Sequence, residues 1–175
     1  MEKSYKAYLN DITTFVFDVD GVLTDGSVLI SSEGELLRVM NVKDGYALKT
    51  AVKKGYKVCI ITGGNNPGVK LRLQGLGIAD FYMNAHLKAE NLEEYLDIYN
   101  IKKENVLYMG DDMPDIPAMK MVALPCCPQD GVPQVKEIAQ YVSHKNGGAG
   151  CARDVIEQVL KVRGDWDDNF SAKND

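Results

Sequence analysis

The chain has 175 residues, 45% of them hydrophobic and 26% charged, with a formal net charge of −5. That length suits one domain with a sizeable core, and the acidic balance disfavours nucleic acid or an anionic membrane as the main partner. No apolar run approaches the ~20 residues of a membrane span, and Met1–Asn10 lacks the apolar centre of a signal peptide. The four cysteines, Cys59, Cys126, Cys127 and Cys151, are not spaced for zinc, so reduced thiols in a cytoplasm are expected.

Met1 to Asp11 reads as a polar, amphipathic lead-in. Ile12 to Asp18 is the first strand, a short β-prone apolar run that ends in Asp18-Val19-Asp20-Gly21. Two apolar runs around Ser31-Ser32-Glu33-Gly34 make a β-hairpin over about Gly26 to Met40. The hairpin stands outside the strand–helix alternation and is expected to project from the sheet. Its apolar arms point to a subunit contact, and folding back onto its own domain is the alternative. Asn41-Val42-Lys43-Asp44-Gly45 then leads into a helix over Tyr46 to Lys54. Tyr56 to Ile61 is a second buried strand with Thr62-Gly63-Gly64 at its end, and Pro67 opens the next helix.

A short strand follows at Asp80 to Met83, then a helix over Leu87 to Tyr99 with Leu92, Tyr95, Leu96 and Tyr99 on one face. Asn105 to Met109 is a strand, and Gly110-Asp111-Asp112-Met113-Pro114-Asp115 leaves its end. A helix over Ile116 to Met121, a strand at Val122 to Leu124, a helix within Cys126 to Ala139 and a last strand at Gln140 to Val142 complete the alternation. Gly147-Gly148-Ala149-Gly150 is a flexible stretch before a strongly periodic helix from Cys151 to Arg163. Residues 165–175 are a polar, acidic tail behind a single domain, 1–164. The alternation with short connections predicts an α/β fold, a Rossmann-like parallel sheet with helices on both faces.

Right-handed crossovers put every strand's carboxyl end on one edge, the edge where such sheets bind ligands. That edge collects Asp18, Asp20, Thr62, Lys88, Asp111, Asp112 and Asp115. Each has a plainer use when taken alone: a turn for Asp18-Val19-Asp20-Gly21, a helix cap for Thr62, a surface charge for Lys88, a capping cluster for Asp111 to Asp115. Their joint arrival at strand exits argues for a built site. Two carboxylates so close repel unless a cation joins them, and Mg²⁺ is held by one or two carboxylates together with waters and phosphate. The set fits phosphoryl transfer. Asp18 and Asp111 hold the metal with the backbone carbonyl of Asp20, Asp18 attacks phosphorus, Asp20 protonates the leaving oxygen and later activates water, and Thr62 and Lys88 hold the transferring oxygens.

Asp-Val-Asp-Gly-Val (18–22), Ile-Ile-Thr-Gly (60–63), Lys88 and Gly-Asp-Asp-x-x-Asp (110–115) resemble the four ordered motifs of the haloacid dehalogenase superfamily of phosphatases. Over roughly Ile12 to Leu160 the chain resembles the 3-deoxy-D-manno-octulosonate 8-phosphate (KDO 8-phosphate) phosphatases, on Asp-Gly-Val-Leu-Thr-Asp-Gly, Asn-Val-Lys-Asp-Gly-Tyr, Leu-Tyr-Met-Gly-Asp-Asp and the Gly-rich run before Arg153-Asp154-Val155. The resemblance implies Mg²⁺, a homotetramer, and removal of phosphate from an eight-carbon sugar acid on the route to lipopolysaccharide. Neither the Asp20–Thr62 interval nor the Thr62–Lys88 interval has room for a full cap domain, so this is a capless version of the fold. By the resemblance, the hairpin of a neighbouring subunit closes the active site.

The resemblance also implies substrate contacts at Asp20, Asn41, Lys43, Asp44, Gly45, Lys49, Gly63, Arg72 and Lys88. Lys43 and Lys49 stand where bacterial members often carry arginine, as does Gly64, directly after the Thr-Gly. Arg72 keeps its family position and is the best candidate for the sugar's carboxylate or the phosphate. A nine-carbon 2-keto-3-deoxy acid phosphate is the close alternative substrate. A phosphoacceptor signalling domain and a catalytically silent binding module are the alternatives of another class. An acid two residues after the acceptor favours turnover over a lasting phosphoryl mark.

Overall fold

The structure, a computed structural model, describes residues 4–166. The first three residues of the lead-in and residues 167–175 of the expected tail lie outside the described residues. Two 3-10 turns, Tyr5–Ala7 and Leu9–Asp11, lead into β1 (Thr14–Phe17). The hairpin strands β2 (Leu29–Ile30) and β3 (Leu36–Leu37) precede helix α1 (Val42–Lys53). There follow β4 (Lys57–Ile61), α2 (Pro67–Gly75), β5 (Asp80–Tyr82) and α3 (Lys88–Tyr99). The second half holds β6 (Val106–Met109), α4 (Ile116–Met119), β7 (Leu124–Cys127), α5 (Pro133–Ile138), β8 (Tyr141–Val142) and α6 (Cys151–Arg163).

Six strands form one parallel sheet in the order β5-β4-β1-β6-β7-β8. Side chains alternate across it, as the two-residue period of a strand requires. Phe15 and Phe17 pack with Ile60, Met109 and the inner faces of α1, α2 and α6. Val16 packs on the opposite face with Cys59, Ile61, Tyr108 and α3 to α5. From β1 the chain runs outward to β4 and β5, then recrosses to β6, β7 and β8. Such a reversal opens a crevice between the carboxyl ends of the strands on either side of it, here β1 and β6.

Among the element boundaries that differ from expectation, the start of α1 and the span of β7 shift most, each for a physical reason. Helix α1 starts at Val42 rather than Tyr46, because Asn41 caps it: its side-chain oxygen accepts from Lys43 N–H at 2.8 Å. Strand β7 takes in Cys126 and Cys127 and lies later than the expected Val122–Leu124. Pro125 is tolerated there because its carbonyl still accepts from Gln140 N–H at 2.8 Å.

The Gly-rich run is a packed loop. Gly148 N–H donates to the Val22 carbonyl at 2.9 Å, and a side chain on Gly147 would run into the Gly21 carbonyl. The first residues of the expected tail are docked too: Asp165 accepts from the Tyr56 hydroxyl at 2.6 Å, and the Trp166 ring meets Tyr46 edge-on.

The hairpin is the exception to this packing. Leu29 and Ile30 are 66% and 68% exposed, and Leu36, Leu37 and Val39 are exposed as well. No helix among the described residues is long and apolar enough to cross a membrane.

Candidate active site

The crevice between β1 and β6 holds a cavity of about 440 Å³ lined by Asp18, Asp20, Thr62, Gly63, Lys88 and Asp111, among others. Each residue arrives there by a local device. Asp18 is the first residue past β1, where its backbone N–H still donates to the Met109 carbonyl at 3.1 Å. Gly21 then turns the chain with φ +87°, and a Cβ there would collide with the Asp111 carboxylate, so the position is closed to a side chain on both counts. The Thr24 hydroxyl pins the turn by accepting from Gly21 N–H (3.3 Å) and Gly26 N–H (3.2 Å). Thr62 follows β4 directly; its hydroxyl accepts from Gly64 N–H at 3.2 Å, which leaves its own proton free for a ligand.

Asp115 organises the far wall. One carboxylate oxygen accepts from Lys88 Nζ (2.7 Å) and the Tyr108 hydroxyl (2.9 Å). The other accepts from the backbone of Asp111 (3.2 Å) and Asp112 (3.5 Å). Asp112 and Asp115 also make a capping box on the 3-10 turn Met113–Asp115, as the plainer expectation for that cluster has it. Lys88, itself buried, bridges Asp115 to Asp18 Oδ2 at 2.8 Å, and Asp18 Oδ1 accepts from Val19 N–H at 2.7 Å. The Asp111 carboxylate receives no hydrogen bond among the described residues.

The electrostatics follow from burial. Asp18 is pushed up to about 6 by burial and then by the Asp115 charge, with Lys88 pulling the other way. Asp111 is pushed up to about 7 by burial and then by Asp18, Asp115 and Asp112. Burial opposes the charge on Lys88, but the carboxylates of Asp18 and Asp115 outweigh it and raise its pKa. One oxygen from each of Asp18, Asp111 and Asp115 lies within 4.8 Å of the others, the spacing of a metal site. Lys88 offsets one of the three charges and leaves two. A divalent cation is the matching counter-charge, and an all-carboxylate donor set suits Mg²⁺ rather than zinc or copper. Asp115 already serves four donors, so Asp18 and Asp111 are the side chains with lone pairs to give.

Not every expected contact residue meets at this cavity. Asp44 is buried, its carboxylate accepting from Gly150 N–H (3.2 Å) and Arg153 N–H (2.8 Å), where it caps α6. Asn41 caps α1 and donates to the Gly148 carbonyl at 3.1 Å. Gly45 and Arg72 do meet: a Cβ on Gly45 would lie 2.8 Å from the Arg72 guanidinium. Lys43 lines a second cavity of about 540 Å³ with Lys145, Arg153 and Lys161. Lys49 is half-buried on α1. None of these six residues lines the cavity of Asp18.

One cavity neighbour was not among the expected site residues. Arg38, on the return arm of the hairpin, donates from Nε to Asp20 Oδ1 and from a terminal nitrogen to Oδ2, both at 3.1 Å. The available signal was a lone cation in the apolar run Leu36-Leu37-Arg38-Val39-Met40.

An aspartate pair, a threonine, a lysine and an acidic loop on successive strand ends define a phosphoryl-transfer hydrolase. The model of the haloacid dehalogenase-like hydrolases matches residues 74–154. The 3-deoxy-D-manno-octulosonate 8-phosphate phosphatase KdsC of Salmonella typhi is 37% identical over 158 residues, spanning 90% of this chain and 84% of that protein. The crystal structure of the enzyme of that name from Yersinia pestis superposes with a TM-score of 0.90 at 31% identity, covering 94% of this chain and 89% of the other. That from Moraxella catarrhalis, in complex with magnesium, phosphate and KDO, gives 0.88 at 30% identity, covering 91% and 92%. The chain belongs to the KDO 8-phosphate phosphatase family of the haloacid dehalogenase-like hydrolases.

Proposed function

We propose that this chain hydrolyses KDO 8-phosphate to KDO and phosphate with Mg²⁺, as a single phosphatase domain over residues 1–164. The observation that carries the reading is the buried Asp18–Lys88–Asp115 chain with Asp111 beside it, two negative charges in excess, facing Thr62 across one cavity. Asp18, Asp111 and the Asp20 carbonyl would hold Mg²⁺, which when bound would supply positive charge against the phosphoryl oxygens. Asp18, fixed by Lys88 and the Val19 amide, attacks phosphorus; the bond to the sugar oxygen breaks, and that oxygen takes the proton of the Asp20 carboxyl. Asp20, now a carboxylate, takes a proton from water as that water attacks the aspartyl-phosphate. Asp18 is restored as a carboxylate and phosphate leaves. Thr62, the Gly63 amide and Lys88 hold the phosphoryl oxygens.

The same reading makes the chain a cytoplasmic homotetramer in which each hairpin covers a neighbour's cavity. Supporting it are the exposed leucines and isoleucine of β2 and β3, the absence of room for a cap domain, and four buried free cysteines among the described residues. Lys43, Lys49 and Arg72 then meet the sugar acid across a subunit boundary, with Asn41, Asp44 and Gly45 shaping the start of α1 behind them. A nine-carbon homologue of the substrate is the second reading. It rests on Gly64, which leaves out a cation that bacterial members often carry directly after the Thr-Gly.

A phosphate-release panel with and without Mg²⁺ tests this. KDO 8-phosphate is expected to exceed the nine-carbon homologue and unrelated sugar phosphates by at least roughly tenfold in kcat/KM. Comparable values across unrelated sugar phosphates would overturn the assignment.

A further inference from the structure

The carboxylate of Asp20 has one side-chain partner among the described residues, and it comes from the hairpin. Arg38 approaches with its fork, Nε to one oxygen and a terminal nitrogen to the other, both at 3.1 Å. The remaining terminal nitrogen donates to the Leu36 carbonyl at 2.8 Å. That carbonyl also accepts from the Asn66 side chain at 2.8 Å, while the Asn66 oxygen caps α2 by accepting from Val69 N–H at 3.0 Å. The guanidinium is therefore held at both ends, by the carboxylate in front and by the hairpin backbone behind. The Arg38 side chain is only 11% exposed, although its neighbours Leu37 and Val39 face solvent.

We propose that Arg38 is a positioning residue for Asp20, so that the hairpin, through this fork, sets where the acid/base carboxylate stands relative to the leaving oxygen. The inference rests on the reading of Asp20 as the group that moves the proton. A planar guanidinium bound through two parallel N–H···O contacts fixes both the position and the plane of a carboxylate, which a point charge does not. Proton transfer to an alkoxide depends on that placement to within fractions of an ångström. With Arg38 removed, Asp20 retains its chemistry but swings on a side chain that is about one-third exposed. A leaving group that is stable as its anion, such as p-nitrophenolate, departs without a proton and is indifferent to the change. A sugar alkoxide is not.

The test compares leaving groups. Wild type, Arg38→Ala, Arg38→Lys and Asp20→Asn are assayed with Mg²⁺ on KDO 8-phosphate, on a simple alkyl phosphate and on p-nitrophenyl phosphate. Arg38→Ala is expected to lower kcat on the alkyl esters by roughly 10- to 100-fold, part of the 10²–10⁴ that a general acid contributes. On p-nitrophenyl phosphate it is expected to lower phosphorylation of the chain by less than about threefold, read as the rate of the pre-steady-state burst of p-nitrophenolate with substrate in excess. Arg38→Lys should recover only part of the loss, because charge without the fork does not fix the plane. The p-nitrophenyl phosphate burst also reports that the variant is folded with its site intact. If Arg38→Ala slows both classes equally, loses the burst, raises KM alone or changes nothing, the proposal is wrong. If Asp20→Asn itself shows no dependence on the leaving group, the acid/base reading has failed and the role of Arg38 with it. If Asp20→Asn shows that dependence and Arg38→Ala does not, only the Arg38 proposal has failed.

Discussion

The carboxyl edge of the sheet and the hairpin are built on opposite principles. At the edge, four short parallel strands bring Asp18, Thr62, Lys88 and Asp111 to one pocket, and hydrogen bonds fix Asp18, Lys88 and Asp115 in place. The hairpin has two residues in each strand, a cluster of exposed leucine and isoleucine side chains, and two polar ties to the body, through Arg38 and Asn66. The difference separates reactivity from recognition. A phosphoryl group is the same in every ester, so the groups that handle it can be locked into the core. The alcohol differs between substrates, and in the proposed assembly the segment facing it is this hairpin, the least packed strand pair among the described residues.

Breaking the locked side has the largest expected effect. Lys88→Met leaves Asp18 and Asp115 buried without their cation, which is expected to destabilise the metal-free protein by about 3–5 kcal/mol. Phosphate release should fall roughly 10²- to 10³-fold with every ester, as for the loss of one oxyanion donor. Thermal melts and initial rates check both. An unchanged melting temperature would mean that Lys88 is not the counter-charge of this cluster.

On the hairpin side, Leu29→Asp with Ile30→Asp should change the stability of the isolated subunit by no more than about 0.5 kcal/mol, since both residues are already exposed. The pair is expected to dissociate the proposed tetramer in light scattering and to slow hydrolysis of the sugar-acid phosphate while sparing p-nitrophenyl phosphate. An intact oligomer with unchanged rates would remove the hairpin from the interface.

The smallest effect is on the pH dependence of stability. Asp18 and Asp111 titrate at about 6 and about 7 in the fold, above their ordinary value of 3.8. Between those limits the folded chain holds more protons than the unfolded one, so stability falls as pH rises through the window from about 4 to about 7. The metal-free protein is thus expected to melt at a lower temperature at pH 8 than at pH 5. Mg²⁺ should raise the melting temperature more at pH 8, where both carboxylates are ionised. A metal-free melting temperature that rises across this range would contradict the charge account of the cluster.

The contrast between the two regions also explains what was legible in the chain. The edge was readable because Asp18, Thr62 and Asp111 follow short apolar strands within one or two residues, with Lys88 opening the helix after β5, and parallel topology then brings them together. Helix α6 was readable to the residue, since its apolar period and the glycines at Gly150 and Gly164 mark both ends. Where one side chain has two possible uses, the sequence does not choose. Asn41 and Asp44 sit in a segment that resembles a sugar-binding loop, yet they cap α1 and α6. Lys43 lines a second cavity and Arg72 lies against Gly45, so their proposed role depends on the proposed assembly. Arg38 was missed because its partner is eighteen residues away across a hairpin whose angle no local pattern sets. Asp115 was placed at the edge without a role, because its four donors come from α3, β6 and its own loop and meet only in three dimensions.

The central claim is that Asp18 carries the phosphoryl group during turnover. Acid quenching of the Mg²⁺-loaded protein within one turnover of phosphate-labelled substrate, followed by peptide mass spectrometry, measures this directly. The account predicts a phosphoryl group on Asp18, abolished in Asp18→Asn, whose kcat falls on the order of 10⁴-fold or more. Turnover with no label on the chain, or with the label on another residue, would contradict it.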